Sequence, residues 1–398
     1  LEGGPLAESY RRVTTTTILS EDLAGDNQKL AQLIQGLKAC GYDRAILNTT
    51  VCGRYTGFLK DLGIRVANLI HELPSLIKSY TLEEALYELA EKSDDVVFST
   101  EYVREKVRTE FSLALANSRV LPQGINFNPQ YKNKQQIRQK LRAELAIPQD
   151  ALVLMGCGHG DFRKGIDIFV RLAAKMVERD ASNHLIWAGR IDPGIESYVR
   201  NDIINLGLGK NIILTGEVNQ PFDYYLASDI FLLTSREDPL PSVVMEAFDA
   251  GLPVVGFEGA GGFCEILDDT QKGRLVPYLD EQAMLSAVLE LKNELNSGVS
   301  FEANHNYARQ EFDYIEYLNK LLRPEGNCSS GSVISRISEA LTVTAIVPNY
   351  NYKHYLGGRL QSIARQTSLV KEIIFLDDCS RDGSVEFARD FLGEIPIP

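Results

Sequence analysis

Positive charge is in short supply in this chain. Its 41 Lys and Arg face 54 Asp and Glu, a formal net charge of −13 over 398 residues. That balance, with no basic run to offset it, argues against a nucleic-acid polyanion as the main partner. Long apolar runs are missing too. None approaches the roughly 20 residues that span a bilayer, although 44% of the residues are hydrophobic, enough for two or three domains with cores of their own. The chain shows no signal-peptide pattern and no initiator Met, and so reads as a processed or excised piece. Cysteine is sparse. Positions 40, 52, 157, 264, 328 and 379 are scattered with no C-x-x-C spacing, which reads as buried thiols of a reducing cytosol and not as disulfides or a metal site.

What is present centres on residues 227–248. Ile230-Phe231-Leu232-Leu233 is a short apolar run of the kind that forms a buried strand. Pro239 and Pro241 then end the ladder, because proline has no N–H to give. Ser242 stands where it can cap a following helix whose apolar face is Val243, Val244, Ala247 and Phe248. A helix that starts just past a strand end turns unpaired N–H groups and a positive dipole toward the crevice, which suits a phosphate. Asp238 lies in the loop and Glu246 in the helix, eight residues on. Amides for phosphates beside two acids for hydroxyls suit a phosphorylated sugar. Acids near a helix start are also common for dipole reasons alone.

The run Ser-Arg-Glu-Asp-Pro-Leu-Pro-Ser-Val-Val-Met-Glu-Ala at 235–247 resembles the donor-site signature of family 4 retaining glycosyltransferases. Those enzymes have the GT-B fold, an α/β architecture of two Rossmann-like parallel-sheet domains with a cleft between them. The resemblance makes Asp238 and Glu246 its two acids, with Asp where the family more often has Glu; counting Glu237 instead leaves one residue too many.

Residues 1–125 alternate helix and strand patterns, with helices at 26–39 and 82–91 and strands at 45–47, 66–70 and 96–99, the rhythm of a parallel sheet. The opening Leu1-Glu2-Gly3-Gly4-Pro5-Leu6 looks like a strand end and turn. The family places a first strand, a glycine-rich loop and a helix before such a point, so the expectation is an acceptor-side domain truncated at its start. His71 stands at the end of an apolar run, where open parallel sheets bind ligands. A lone His is as readily a surface residue, but this one matches the family's interdomain histidine, which implies contact with the transferred sugar near its reacting carbon.

The stretch 121–126 resembles the hinge into a donor domain at 126–322. Polar residues 133–142 read as a solvated helix, and strands are expected at 151–156, 184–188, 211–214, 230–233 and 253–257 in one parallel sheet. The first turn, Gly156-Cys157-Gly158-His159-Gly160-Asp161-Phe162-Arg163-Lys164-Gly165, lacks the G-x-G-x-x-G spacing of a dinucleotide site. Its Arg-Lys-Gly resembles the family's pyrophosphate site, with Lys164 as the binding lysine. The family's partner arginine is replaced by His159, with Arg163 as a substitute. Arg190 and Val218 end the next two strands; the family holds the base against backbone at about the latter, a plain strand-end turn explains Arg190 equally well, and Leu240, Pro241, Ser242 and Val243 line the donor loop. Gly261-Gly262-Phe263-Cys264-Glu265 resembles the family's G-G-x-x-E element, though a packing turn explains the glycines as well. A helical stretch at 304–322 closes the domain.

A linker composition covers 323–340. From 341 a strand–helix–strand pattern restarts with Val347-Pro348-Asn349-Tyr350-Asn351 and Asp377-Asp378-Cys379-Ser380-Arg381-Asp382-Gly383-Ser384, resembling the opening of a family 2 glycosyltransferase of GT-A fold. In that family Pro348 and Tyr350 belong to the nucleotide site, with Tyr350 on the base and Asp378 on the base or ribose. The chain stops at Pro398, before the family's D-x-D, so 341–398 is expected to be the truncated start of such a domain.

Together the resemblances imply transfer of a sugar, with retention, from a nucleotide-diphosphate donor to a glycan or lipid-linked acceptor, in surface polysaccharide or O-antigen synthesis. The implied location is cytoplasmic, at the inner face of the membrane through peripheral association. No metal or cofactor is expected at the first site, where protein cations meet the pyrophosphate; Mg²⁺ or Mn²⁺ belongs to a complete second domain. Three alternatives stand beside this. A GT-B epimerase or phosphorylase needs an acid arrangement or a pyridoxal-phosphate lysine that is not evident. A dinucleotide oxidoreductase is not supported by Gly-Cys-Gly-His-Gly-Asp. A nucleotide-sugar-binding module without turnover fits the truncated form.

Overall fold

The computed structural model describes residues 27–125, 133–218, 220–267, 271–322, 343–349, 353, 356, 360, 370–377 and 382–393. The chain divides into two compact units, Asp43–Arg323 and a second made of Leu1–Tyr42 with Pro324–Pro398. The amphipathic helix α1 (Asn27–Ala39) belongs to the second.

The larger unit carries two parallel sheets. In the first, β1 (Arg44–Asn48), β2 (Arg65–Ile70), β3 (Asp95–Phe98) and β4 (Ser118–Val120) lie in sequence order, joined through α2 (Thr56–Asp61), α3 (Pro74–Ser79), α4 (Glu83–Lys92) and α5 (Glu101–Glu110). Ile70 and Phe98 on the strands pack with Ile77, Leu86, Leu89 and Val103 on the helices. β4 is a strand the sequence pattern misses. It has three residues, none fully buried, and its Arg119 pairs with Asp95 on β3 at 2.8 Å.

The second sheet runs β10-β9-β8-β5-β6-β7, all parallel. Its strands are β5 (Val153–Cys157), β6 (His184–Ala188), β7 (Ile212–Leu214), β8 (Ile230–Leu233), β9 (Val254–Phe257) and β10 (Gly273–Val276). Between them lie α6 (Lys134–Glu144, before β5), α7 (Ile166–Arg179), α8 (Pro193–Asn205), α9 (Pro221–Ala227), α10 (Ser242–Asp249) and α11 (Phe263–Leu267), followed by α12 (Glu281–Asn296), α13 (Glu302–Glu311) and α14 (Tyr314–Leu322). All four residues of β8 are buried, as a strand covered on both faces requires. Ile166, Phe169, Val170, Ala173 and Met176 give α7 one apolar stripe against this sheet. Each large side chain so buried contributes about 1.5–3 kcal/mol. The strand order reverses between β5 and β8, and open α/β sheets bind ligands beyond the carboxyl ends of the strands at such a point.

Three expectations need correction. The polar helix α6 is not solvated throughout, because Arg142 is fully buried. Its Nε donates to the Ala227 carbonyl at 2.8 Å, its Nη1 to those of Gln149 and Ala151 at 2.9 Å, and its Nη2 to Asp229 Oδ2 at 2.9 Å. A guanidinium with that many acceptors is tolerated inside. The stretch 304–322 is two helices, broken where Phe312 buries itself and the Ile125 N–H bonds the Phe312 carbonyl. The cysteines are not uniformly buried: Cys40 is exposed, and Cys52, Cys157 and Cys264 are half-buried.

In the smaller unit β11 (Val343–Asn349) pairs in parallel with β12 (Val370–Asp377), with Pro348 opposite Leu376, and α15 (Ser384–Gly393) follows. Tyr350, Asp378 and the linker 323–340 lie outside the described residues. Among the described residues no helix is long and apolar enough to cross a membrane.

Candidate functional site

The loops after β5 and β8 meet at the reversal point. The glycine-rich turn after β5 is held by the chain's single tryptophan, whose Trp187 indole N–H donates to the Gly158 carbonyl at 3.2 Å. Gly165 caps α7 with φ of 71°, and a Cβ there would lie 2.0 Å from the Thr234 carbonyl oxygen, so only glycine lets the turn sit on the end of β8. The Thr234 hydroxyl donates to the Lys164 carbonyl at 3.0 Å. Lys164 is thereby aimed at the loop after β8, where its ammonium pairs with Asp238 Oδ2.

Both partners are well buried, with 14% and 6% of their side chains exposed, so Asp238 is not a solvated loop acid. The Ser235 hydroxyl donates to the same oxygen at 3.2 Å. Asp238 is fixed through its backbone as well. Its N–H donates to the Ala260 carbonyl at 2.8 Å, and the Gly262 N–H donates to that of Pro239 at 2.7 Å. A Cβ on Gly261 would fall 1.6 Å from the Asp238 carbonyl oxygen. The glycine pair is what lets these two loops zip together.

Helix α10 begins at Ser242, with Pro241 as the capping residue and no side-chain capping bond. Ser242 is therefore the first helical residue, and it is exposed, because Pro241 with φ of −71° and ψ of 123° already occupies the extended cap position. The N–H groups of Ser242 and Val243 have no partner among the described residues, whereas that of Val244 bonds the Pro241 carbonyl. Val244, Met245, Ala247 and Phe248 are buried, and Val243 is half-buried. Glu246 points inward, and its Oε2 accepts from the Tyr225 hydroxyl at 2.9 Å. Burial raises the Glu246 pKa against the opposing pull of that hydrogen bond. The Cys157 thiol nearby has its pKa pushed up to about 11 by burial.

His71, at the end of β2, is half-buried and shares a 2.7 Å hydrogen bond from Nε2 with Asn48 Oδ1. Burial lowers its pKa, with Glu72 pulling the other way, so the neutral ring is favoured. No hydrogen bond joins His71 to Lys164, Asp238 or Glu246 among the described residues. The element after it does reach the donor-side loop, since the Ser75 hydroxyl bonds the Glu237 carboxylate. Of the expected phosphate contacts, His159 stands 3.5 Å from Asp192 Oδ2, and Arg163 Nη1 donates to the Glu237 carbonyl at 2.9 Å. Arg190 is exposed, its carbonyl accepting from the Gly160 N–H at 2.8 Å. Val218 packs half-buried on the core, and Leu240 borders a cavity of about 230 Å³ that Thr100, Leu121, Glu265 and Tyr317 also line.

Two further residues stand out, one of which the sequence does not flag. Tyr225 is that one, as the partner of Glu246. The other is Glu265, the acid of the G-G-x-x-E resemblance, whose carboxylate accepts from the Glu101 and Tyr102 N–H groups at the start of α5, while the Tyr102 hydroxyl donates to the Gly259 carbonyl at 2.6 Å. A carboxylate on a helix start gains from the dipole, so the glycine-rich turn after β9 ties the two sheets together.

Two sheets of this kind, facing one another through strand-end loops, are the GT-B arrangement. The chain superposes with a TM-score of 0.63 on HepE of Anabaena, solved with UDP, over 73% of this chain and 80% of that one at 19% identity. Residues 137–307 match the family described as glycosyl transferases group 1, and residues 344–396 match glycosyl transferase family 2. The chain therefore carries a group 1 glycosyltransferase domain followed by a shorter family 2 segment. It is 30% identical over 120 residues to the alpha-galactosylglucosyldiacylglycerol synthase of Streptococcus pneumoniae, covering 29% of this chain and 31% of that protein. It is 28% identical over 154 residues to the lipopolysaccharide core biosynthesis glycosyltransferase LpsD of Rhizobium meliloti, covering 38% and 43%. The chain thus spans less than half the length of these curated relatives.

Proposed function

We propose that the larger unit transfers a sugar, with retention of configuration, from a nucleotide-diphosphate donor to a glycan or lipid-linked acceptor. The observation that carries the reading is the pairing of Lys164 with Asp238 across the β5–β8 reversal point, beside the open N–H groups of α10. An ammonium has three donors. One stays on Asp238, leaving two for diphosphate oxygens, with His159, Arg163 and the Ser242 and Val243 amides as further partners. Glu246 takes ribose hydroxyls, Asp238 takes sugar hydroxyls, and Arg190 and Val218 flank the base. As the sugar C1–O bond breaks, its electron pair goes to the diphosphate, whose growing charge these cations and amides meet. The acceptor oxygen bonds C1 on the same face, and its proton passes to the leaving phosphate. His71 contacts the sugar near C1. This chemistry needs no metal at the first site.

The domain boundaries 1–125, 126–322, 323–340 and 341–398 belong to this proposal, as does nucleotide binding by Pro348, Tyr350 and Asp378 in a complete second domain with Mg²⁺ or Mn²⁺. The names of the relatives point to glycolipid or surface-polysaccharide assembly, and work at the cytoplasmic face of a membrane through peripheral contact fits such acceptors. UDP-glucose is the first donor to try, because HepE has been solved with it. Incubation of the chain with UDP-α-glucose, followed by proton NMR of the anomeric signals, tests the reading. It predicts an α-configured product; a β-configured first product contradicts retention, and tight binding with no turnover supports a nucleotide-sugar-binding module.

A further inference from the structure

The Tyr225 hydroxyl is placed as nothing in a structural helix requires. Tyr225 lies on α9, is fully buried, and stacks on Phe231 of β8 with ring centroids 5.5 Å apart and planes 26° apart. That contact and the flanking Phe222 ring hold its position within the core. Its hydroxyl sits between two groups at the carboxyl edge of the sheet, the Cys157 thiol at the end of β5 and Glu246 Oε2 on α10. Burial pushes the neighbouring Cys157 thiol up to about 11, so it stays neutral at pH 7 and puts no charge beside the tyrosine. The tyrosine donates its only proton to Glu246. The donor direction from Tyr225 to Glu246 is thus fixed.

The consequence falls on the carboxylate. Oε2 is occupied, and Oε1 has no hydrogen-bond partner among the described residues yet is not sealed from solvent. A half-buried glutamate without the tyrosine would rotate, or take up a proton as its desolvation favours. With the tyrosine it presents one ionised, stationary acceptor to the crevice. A site built to accept from a hydroxyl discriminates strongly against a ligand that lacks it, because its buried polar groups are then left unpaired.

We propose that Tyr225 is a positioning residue that fixes Glu246 as the acceptor for donor ribose hydroxyls and so sets the preference for a ribonucleotide donor. This rests on the reading of Glu246 as the ribose-binding acid.

The test is calorimetric titration of the whole chain with UDP and with 2′,3′-dideoxy-UDP. Wild type, Tyr225→Phe, Glu246→Ala and the double variant are compared, with thermal melts to confirm that each folds. Wild type should prefer UDP by about tenfold or more, as loss of a hydrogen bond to a charged group predicts. Tyr225→Phe keeps the ring in the core; it should bring that preference to within about threefold with dideoxy-UDP affinity unchanged, and add nothing in the Glu246→Ala background. An undiminished preference in Tyr225→Phe, with Glu246→Ala abolishing it, overturns the role of Tyr225 and leaves Glu246 on the ribose. A preference that survives Glu246→Ala, or no UDP binding by wild type, overturns the donor-site reading and this inference with it. If Tyr225→Phe does not fold, Tyr225→Leu, which also removes the hydroxyl, takes its place: a preference reduced to within about threefold supports the role of Tyr225, and an undiminished one overturns it.

Discussion

Lys164→Ala should cost stability as well as function, and more than its partner's removal does. The substitution leaves the Asp238 carboxylate, only 6% exposed, without its cation. Removing one member of a buried ion pair costs about 3–5 kcal/mol. The Ser235 hydroxyl still donates to Asp238 and offsets about 1 kcal/mol of that. A net loss of about 3 kcal/mol lowers the melting temperature by about 6–10 °C in a unit of this size. Asp238→Ala is milder, at about 1–2 kcal/mol, because a lysine stem can carry its ammonium to water. The double variant has no stranded charge and should be more stable than Lys164→Ala by about 1–2 kcal/mol. Thermal and urea unfolding of the four proteins at pH 7 measures this. If the two single losses add to within about 0.5 kcal/mol, the pair is not coupled and the reasoning fails.

Glu246→Gln should behave in the opposite way. Burial raises the Glu246 pKa, so the folded state holds more protons than the unfolded chain between the unfolded value, about 4.3, and the raised folded one. Stability therefore falls as pH rises through that window, and the cost persists above it. The glutamine variant, still able to accept from Tyr225, should melt above wild type at pH 8 with the gap closing at acid pH, while binding nucleotide less well; a pH-independent gap contradicts this. Arg142→Lys loses at least one of the hydrogen bonds that hold α6 to Asp229 and the carbonyls, together with the planar fork that reaches them all, and should cost about 2–4 kcal/mol in urea unfolding; a loss below 1 kcal/mol, roughly one neutral bond, would show that the buried guanidinium matters little. Gly261→Ala forces a Cβ onto the Asp238 carbonyl and shifts the loop. It should weaken binding of UDP-glucose by about tenfold while leaving UDP within about threefold, because Asp238 serves the sugar; unchanged UDP-glucose affinity would show that the loop does not need the glycine.

The strands of the second sheet were readable because parallel strands buried on both faces are unbroken apolar runs, as Ile230–Leu233 is. The edge strands Ser118–Val120 and Gly273–Val276 were not. They are short and part polar, and a strand with one neighbour needs no apolar run. Lys164 and Asp238 could be picked out singly from a glycine-rich turn and an acid spacing, but their contact joins residues 74 apart. The same holds for Arg142, whose polar helix looks solvated until Asp229 arrives from 87 residues away. Tyr225 had no signal at all: two adjacent tyrosines open onto opposite surroundings, and only the packed sheet decides that Tyr225 is the one that reaches Glu246. At Ser242 the local signal misled, since a preceding proline in extended conformation takes the cap position itself.

The measurement that bears most directly on the donor site is calorimetric titration of the whole chain with UDP, GDP and dTDP, repeated on Lys164→Ala and Glu246→Ala. One nucleotide should bind at micromolar strength, and each substitution should weaken it at least tenfold, about 1.4 kcal/mol. Binding that is unaffected by both substitutions would contradict the site, because the diphosphate and the ribose would then be held elsewhere.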